Sequence, residues 1–346
     1  MRIQVNARNR GLHFDAVAAQ PVLYAGLGAG VDLPYECATG TCGTCRAKVV
    51  EGRIRDDWPE APGRKVLKSS SDFLMCQCAA ETDLTLEIPS FVNPAGPGAC
   101  RAAPLAGVLR TPTALTHDVM SFGVELDAPC EFDAGQFMVL QAQGVSGYRA
   151  YSMVNHQRVA RRLEFVIKRK PGGGFSEWLF GAPREGAPLR LFGPLGKATY
   201  YPALGKDVLC IAGGSGVAGM MSILSCAAGG GALETHRAWL FFGVRTAKDA
   251  FYLEELSQLS ERCGERLAVT VALSDEPVSA ELSARWPRLR FAQGLVHEVA
   301  KQAMAGRYRD VRAYVAGPPP AVDAVLRVLL LEAKLTADNI RYDKFS

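Results

Sequence analysis

Four cysteines constrain this chain more than any other residues. Cys37, Cys42 and Cys45 stand in a Cys-x4-Cys-x2-Cys loop, and Cys76 follows after 30 further residues. Four thiolates at this spacing suit a 2Fe–2S cluster of the plant type. A loop rich in glycine can wrap three thiolates around such a group. Gly40 and Gly43 remove side chains where backbone N–H groups must turn toward sulfur. A structural zinc site usually pairs two short knuckles of two cysteines each, whereas this chain has one three-cysteine loop and a distant fourth. Cys78 competes with Cys76 for the fourth position, because strand alternation puts both on one face. Cys100, Cys130, Cys210, Cys226 and Cys263 are scattered and read as inert small apolar residues.

Ten cysteines in 346 residues do not imply a disulfide framework, which belongs to short exported chains. The N-terminus alternates polar and apolar residues and carries no apolar signal core. No stretch approaches the roughly 18 apolar residues of a membrane span. The expectation is a soluble, cytoplasmic protein. Net charge is +4 with no run of lysine or arginine, which gives no reason to propose nucleic acid or membrane as a partner.

The length allows two or three domains. Residues 1–92 combine short alternating strands, a helical stretch at 20–30 and the cysteine loop. Residues 93–104 concentrate Pro, Gly and Ala without periodicity and read as a linker. Residues 105–202 carry successive short strands between Gly/Pro turns, the pattern of a small antiparallel barrel. Residues 203–346 alternate strands (DVLCIAGG, RAWLFFGV, LAVTVALS, AYVAGP) with helical runs at 219–228 and 321–333, as in a parallel α/β sheet. The fold class is therefore multidomain: α+β, then β, then α/β.

Two segments carry further ligand chemistry. On one barrel strand, Arg149 and Tyr151 point to one face and Ser152 to the other. A flavin needs a cation for its pyrophosphate, an aromatic face for its ring and a hydroxyl near N5; these residue types supply all three. The turn Pro171-Gly-Gly-Gly-Phe-Ser runs into a helix, where Ser176 is placed to cap free N–H groups that attract phosphate. In the α/β segment, a strand runs into a helix through Gly214, Ser215 and Gly216, with Gly219 completing a G-x-G-x-x-G. The acidic residue of the dinucleotide fingerprint is missing, since the next strand ends at Val244-Arg245. That disfavours a conventional Rossmann dehydrogenase and leaves a nucleotide site of another kind. Gly317 and Pro318 form a second strand-to-helix crossing at the same sheet edge.

The order of these motifs resembles the reductase component of bacterial multicomponent oxygenases, a plant-type ferredoxin fused to a ferredoxin–NADP reductase-like module, over essentially the whole chain. The likeness rests on Pro34-Tyr35-Glu36-Cys37, Cys42-Gly43-Thr44-Cys45, Trp58-Pro59-Glu60-Ala61-Pro62-Gly63, Cys76-Gln77-Cys78, Arg149-Ala150-Tyr151-Ser152, Gly213-Gly214-Ser215-Gly216 and Gly317-Pro318-Pro319. Within that family it is most similar to toluene-monooxygenase and carbazole-dioxygenase reductases. The resemblance implies a β-grasp ferredoxin domain, an FAD-binding β-barrel and an NAD-binding α/β domain. It makes Cys76 the fourth ligand, and it extends the FAD signature to Ile167, Lys168, Gly174, Phe175 and Ser176. Departures are Gly219 where relatives usually have Pro, Ala316 where many have Cys, and Ala321 for a frequent Met.

The activity implied is transfer of hydride from NADH to FAD near Ser152. Single electrons then leave through the cluster to an oxygenase component, or to its Rieske or ferredoxin protein. A plant-type cluster near about −400 mV lies below a Rieske centre at about −150 mV or higher, so such a transfer is favourable. Ser274 and Asp275 end the third strand of the α/β segment, where NADPH-using relatives place Arg; the expected donor is NADH, with Arg245 on the adjacent strand end. Phe345 is a candidate to cover the flavin where nicotinamide stacks. Two other readings stay open: the same electron path feeding a non-oxygenase acceptor such as a deoxysugar dehydrase, or a non-catalytic binding protein that retains the fold.

Overall fold

The computed structural model describes residues 1–96 and 98–345. In the first module Ile3 and Val5 are fully buried between polar neighbours, the alternation of a half-buried strand. That strand, Arg2–Ala7, pairs antiparallel with Gly11–Asp15 and parallel with Leu84–Ile88. Arg46–Glu51 and Asp72–Leu74 complete a five-stranded sheet. The helix Val22–Gly28 buries Val22, Leu23, Tyr24 and Ala25 against it, giving the β-grasp arrangement. The cysteine loop spans the gap between Val31–Asp32 and Arg46–Glu51.

The second module is a six-stranded antiparallel sheet in the order Arg149–Ser152, Phe137–Ala142, Pro188–Leu195, Ala103–Ala114, Val119–Glu131, Val159–Lys168. A bridge between Met153 and Phe165 joins its two ends and closes the barrel. Its core is dense in Phe122, Phe132, Phe165, Leu140 and Leu191. The strand Ala103–Ala114 escaped the sequence reading because Pro104 and Pro112 interrupt it and a bulge shifts its register between Arg110 and Thr113.

The third module is a six-stranded, all-parallel sheet: Arg290–Gln293, Leu267–Leu273, Ala238–Val244, Asp207–Gly213, Val311–Gly317, Ile340–Lys344. The four inner strands are near-continuous apolar runs because helices cover both faces. The two edge strands are short and mixed in polarity, so their sequences did not announce them. The helical run at 321–333 is an α-helix, Pro319–Arg327, continued by one π turn, Val328–Glu332.

The modules share packing. Phe137, Val139, Phe192 and Leu195 of the barrel belong to the same buried cluster as the ferredoxin-like core. The 93–104 stretch is held at both ends: Asn93–Pro94 pairs with Val31–Asp32, and Ala102 is buried in that core. The α/β module docks through the helix Val217–Gly229. The Ser222 hydroxyl accepts from the Gly135 N–H at 3.4 Å and donates to the Asn155 carbonyl at 3.1 Å. Among the described residues no helix is long and apolar enough to cross a membrane.

Candidate cofactor sites

The cysteine loop folds back on itself through Gly40 and Gly43, both at positive φ. This conformation lets backbone N–H groups converge on sulfur: Thr39 and Cys42 donate to Cys37 Sγ, and Thr44 donates to Cys42 Sγ, each at 3.4 Å. The thiols group two and two. Cys45 Sγ lies 3.2 Å from Cys76 Sγ. The Cys42 thiol donates to Cys37 and, with Thr41 and the two N–H groups, outweighs burial and holds the Cys37 thiol well below its usual range. Cys42 and Cys45 are both pushed up, chiefly by donating to the other sulfur of their pair. Among the described residues no three or more His, Cys, Asp or Glu side chains are arranged to hold a single metal ion. Two pairs of thiols fit a group with two irons and two thiolates on each.

Backbone geometry sets Cys76 apart from Cys78. Strand alternation does not apply, because residues 75–77 form a turn and the strand begins only at Cys78. Cys76 faces Cys45, whereas Cys78 is fully buried and its thiol is pushed up by burial and then by Asp56.

One cavity of about 1250 Å³ lies where the three modules meet. This exceeds the roughly 300–1000 Å³ of a pocket for one small ligand, leaving room for two nucleotide-sized groups. The cluster loop contributes Cys37, Thr39, Thr41 and Thr44 to its wall, and the barrel contributes Arg149, Tyr151, Ser152, Ile167, Lys168, Gly174, Phe175 and Ser176. The α/β module adds Gly214, Ser215, Arg245, Ser274, Pro318 and Phe345. Thus 15 of the expected site residues, from Cys37 to Phe345, meet at one cavity.

Several residues behave differently from the sequence reading. Ser176 is not the N-cap: the helix is Gly174–Gly181 with Gly173 at the cap. The Ser176 hydroxyl instead accepts from Lys170 N–H at 3.1 Å, bracing the glycine turn. Lys168 is paired with Asp118 at 2.9 Å. Gly216, Asp275 and Gly317 do not line the cavity. A Cβ at Gly216 would stand 2.4 Å from the Ala316 carbonyl oxygen, and one at Gly317 about 3.1 Å from the Gly213 backbone. These glycines let two strand-to-helix turns touch backbone to backbone. Ala316 is buried in that contact and is absent from the cavity wall, whereas Ala321 lines it. Phe345 is half-buried against the α/β core, and its N–H donates to the Gly317 carbonyl at 2.9 Å.

The barrel residues suit a flavin. Arg149 supplies a cation, the helix behind Gly173 supplies free N–H groups, and Tyr151 presents a ring braced at 5.4 Å by Phe175. Ser152 is buried where the start of the helix Val217–Gly229 reaches the barrel; a Cβ on Gly219 would lie 3.8 Å from its hydroxyl. Sequence reasoning missed Trp58, Tyr35, Glu36, Lys197 and Asp343, all on the cavity wall. Tyr35, Glu36 and Trp58 fall inside motifs that carry the family resemblance, but nothing local in those motifs assigns them to a shared wall, because the face they share is created by module docking. Glu36 was quoted beside Cys37, but nothing in sequence placed it opposite Asp343. Burial and then Glu36 raise the Asp343 carboxyl to about 7.

Family comparisons divide the chain in the same way. Residues 5–81 match the 2Fe-2S iron-sulfur cluster binding domain, 106–200 the oxidoreductase FAD-binding domain, and 210–327 the oxidoreductase NAD-binding domain. The chain is 35% identical to ferredoxin–NAD(P)+ reductase CarAd of Metapseudomonas resinovorans, over 95% of each chain. It is 34% identical to the ferredoxin–NAD+ reductase component of the alkene monooxygenase system of Xanthobacter autotrophicus, over 97% of this chain and 99% of the relative. Among solved structures, the ferredoxin reductase in carbazole 1,9a-dioxygenase superimposes with a TM-score of 0.84 at 32% identity, covering 100% of this chain and 99% of the other. With cluster, flavin and nucleotide modules in this order around a shared cavity, the chain belongs to the family of ferredoxin–NAD(P)+ reductases, the electron-transfer oxidoreductases that serve oxygenase systems.

Proposed function

We propose that this protein oxidises NADH and delivers single electrons to an oxygenase component or its Rieske or ferredoxin protein, in the cytoplasm. The observation that carries the reading is the common cavity, on which the cluster loop, the Arg149–Ser152 strand and the Gly214–Gly216 turn all open. Bound flavin supplies exchange between a two-electron donor and one-electron acceptors, and a bound 2Fe–2S cluster supplies one-electron transfer.

The side chains bind and orient. Cys37 and Cys42 are assigned to one iron, and Cys45 and Cys76 to the other. Arg149 and the N–H groups behind Gly173 hold the flavin pyrophosphate, with Gly174, Phe175 and Ser176 shaping the turn. Tyr151 lies against the ring, Ser152 places a hydroxyl beside it, and Ile167 and Lys168 complete that wall. Gly214, Ser215 and Pro318 receive the NADH phosphates, with Gly216 and Gly317 packing the two turns together behind them, while Arg245 and Ser274 face its adenosine ribose and Asp275 stands behind Ser274. Phe345 closes the ring side of the cavity.

The test is anaerobic titration of cofactor-loaded protein with NADH, followed by coupling to a purified oxygenase. The reading expects flavin and cluster absorbance to bleach together and NADH-dependent oxygenase turnover to appear. Flavin bleaching with an oxidised cluster and no turnover refutes it.

A further inference from the structure

The Trp58-Pro59-Glu60-Ala61-Pro62-Gly63 motif has no part in the assignments above, yet it touches both cofactor sites. At its start, the N–H of Asp57 donates to the Gln77 carbonyl at 2.9 Å, one residue beyond Cys76. At its end, the N–H of Gly63 donates to the Gly40 carbonyl at 2.8 Å, inside the loop of the first three cysteines. The fit at Gly63 is close: a Cβ there would stand 2.7 Å from the Gly43 nitrogen and 2.8 Å from the Gly40 oxygen. Asp56 braces the strap from within, accepting from the Trp58 N–H at 3.0 Å and pairing with Arg64. Both halves of the cysteine cradle are thus tied to one short strap.

The strap begins at Trp58, which is half-buried against the ferredoxin-like core. Its ring lies on the cavity wall, with the Arg149 guanidinium carbon 5.6 Å from the ring centroid. That is within cation–π range, and the pair bridges two modules. The same guanidinium donates to the Tyr148 carbonyl at 2.8 Å, so its head is held from two sides.

We propose that Trp58 is a positioning residue of the flavin site. It fixes the Arg149 guanidinium for the FAD pyrophosphate, and because its strap is hydrogen-bonded to both halves of the cysteine cradle, FAD affinity depends on an intact cluster loop. The inference rests on the assignment of Arg149 to the pyrophosphate.

The experiment titrates FAD into flavin-stripped, cluster-loaded protein and follows flavin fluorescence, with the cluster absorbance recorded on each variant. Trp58→Leu should weaken FAD binding roughly three- to tenfold, the range of a partly desolvated cation–π contact. Trp58→Phe, which restores an aromatic face, should recover most of that loss. In an Arg149→Gln background Trp58→Leu should add nothing. Gly63→Ala, which wedges the strap from the cysteine loop, should weaken both the cluster and FAD. Wild-type FAD affinity in Trp58→Leu overturns the proposal, as does equal weakening in the Leu and Phe variants. Undiminished FAD affinity in a Gly63→Ala protein that has lost its cluster overturns the coupling. Arg149→Gln with wild-type affinity would instead refute the flavin-site assignment, a result read without reference to Trp58.

Discussion

The ring of Tyr24, on the helix Val22–Gly28 that packs on the ferredoxin-like sheet, stacks on Phe192 of the barrel with centroids 4.3 Å apart and planes 8° from parallel. The Tyr24 hydroxyl donates to the Ala38 carbonyl at 3.0 Å, inside the cysteine loop. One buried aromatic pair therefore links a barrel strand to the cluster loop.

Phe192→Ala should cost about 3–5 kcal/mol, the usual range for emptying a buried aromatic site. Because the packing is shared, cluster loss and flavin release should move together to lower temperature. Thermal melts followed at cluster and flavin wavelengths check this; a flavin transition that does not shift would show that the modules unfold independently.

Cys76→Ser should abolish the cluster spectrum, because serine is a far poorer iron ligand. With FAD supplied at saturation the variant should keep NADH-driven ferricyanide reduction and lose cytochrome c reduction. Cys78→Ser should keep the cluster, at a stability cost of about 1–3 kcal/mol for a hydroxyl in a fully buried site. An intact cluster in the first variant and its loss in the second would reverse the ligand assignment.

Gly216→Ala should raise the KM for NADH and destabilise by about 1–3 kcal/mol, since its Cβ would meet backbone 2.4 Å away. Gly219→Ala should be neutral or stabilising by up to about 1 kcal/mol. Its Cβ meets nothing nearer than 3.7 Å and it sits inside the helix Val217–Gly229. Steady-state kinetics and urea unfolding on the pair separate the two roles; equal effects would contradict them.

NADH should give a higher kcat/KM than NADPH. The Ser274 hydroxyl on the cavity wall donates to Asp275 at 2.6 Å, so a carboxylate stands directly behind that wall. A 2′-phosphate of about −1.5 to −2 would be repelled there. Arg245 lines the same cavity and attracts phosphate, so the two residues oppose each other. Asp275→Asn should narrow the preference roughly tenfold and Arg245→Ala should widen it. Equal or better use of NADPH by the wild type removes the claim.

Asp343 should make stability depend on pH. Its folded pKa of about 7 lies above the ordinary aspartate value, through burial and then Glu36. The folded state therefore holds this proton more tightly. The resulting stabilisation is complete below about pH 3.9, falls as pH rises through 7, and is gone above it. The nearby Lys344 is turned to Asp323 at 2.6 Å, and Tyr35 also adjoins this carboxyl. Asp343→Asn should remove this slope. Urea midpoints at pH 5 and pH 8 test it; an unchanged slope in the variant assigns the dependence elsewhere.

The sequence by itself determined the local chemistry. Cysteine spacing, the Arg-Ala-Tyr-Ser strand and the glycine turns are contiguous patterns, set by backbone conformations that only certain residues adopt. Strand alternation and apolar runs likewise made the barrel and the parallel sheet legible, apart from strands broken by proline or left polar at an edge. Tertiary structure decided what depends on register and docking. It separated Cys76 from Cys78 through a turn that alternation could not foresee, and moved the cap from Ser176 to Gly173. It withdrew Gly216, Gly317 and Asp275 from the cavity wall, and brought Trp58 to Arg149 and Glu36 to Asp343. Those contacts join residues up to about 300 positions apart, and no local periodicity encodes a surface formed only when separately folded faces meet.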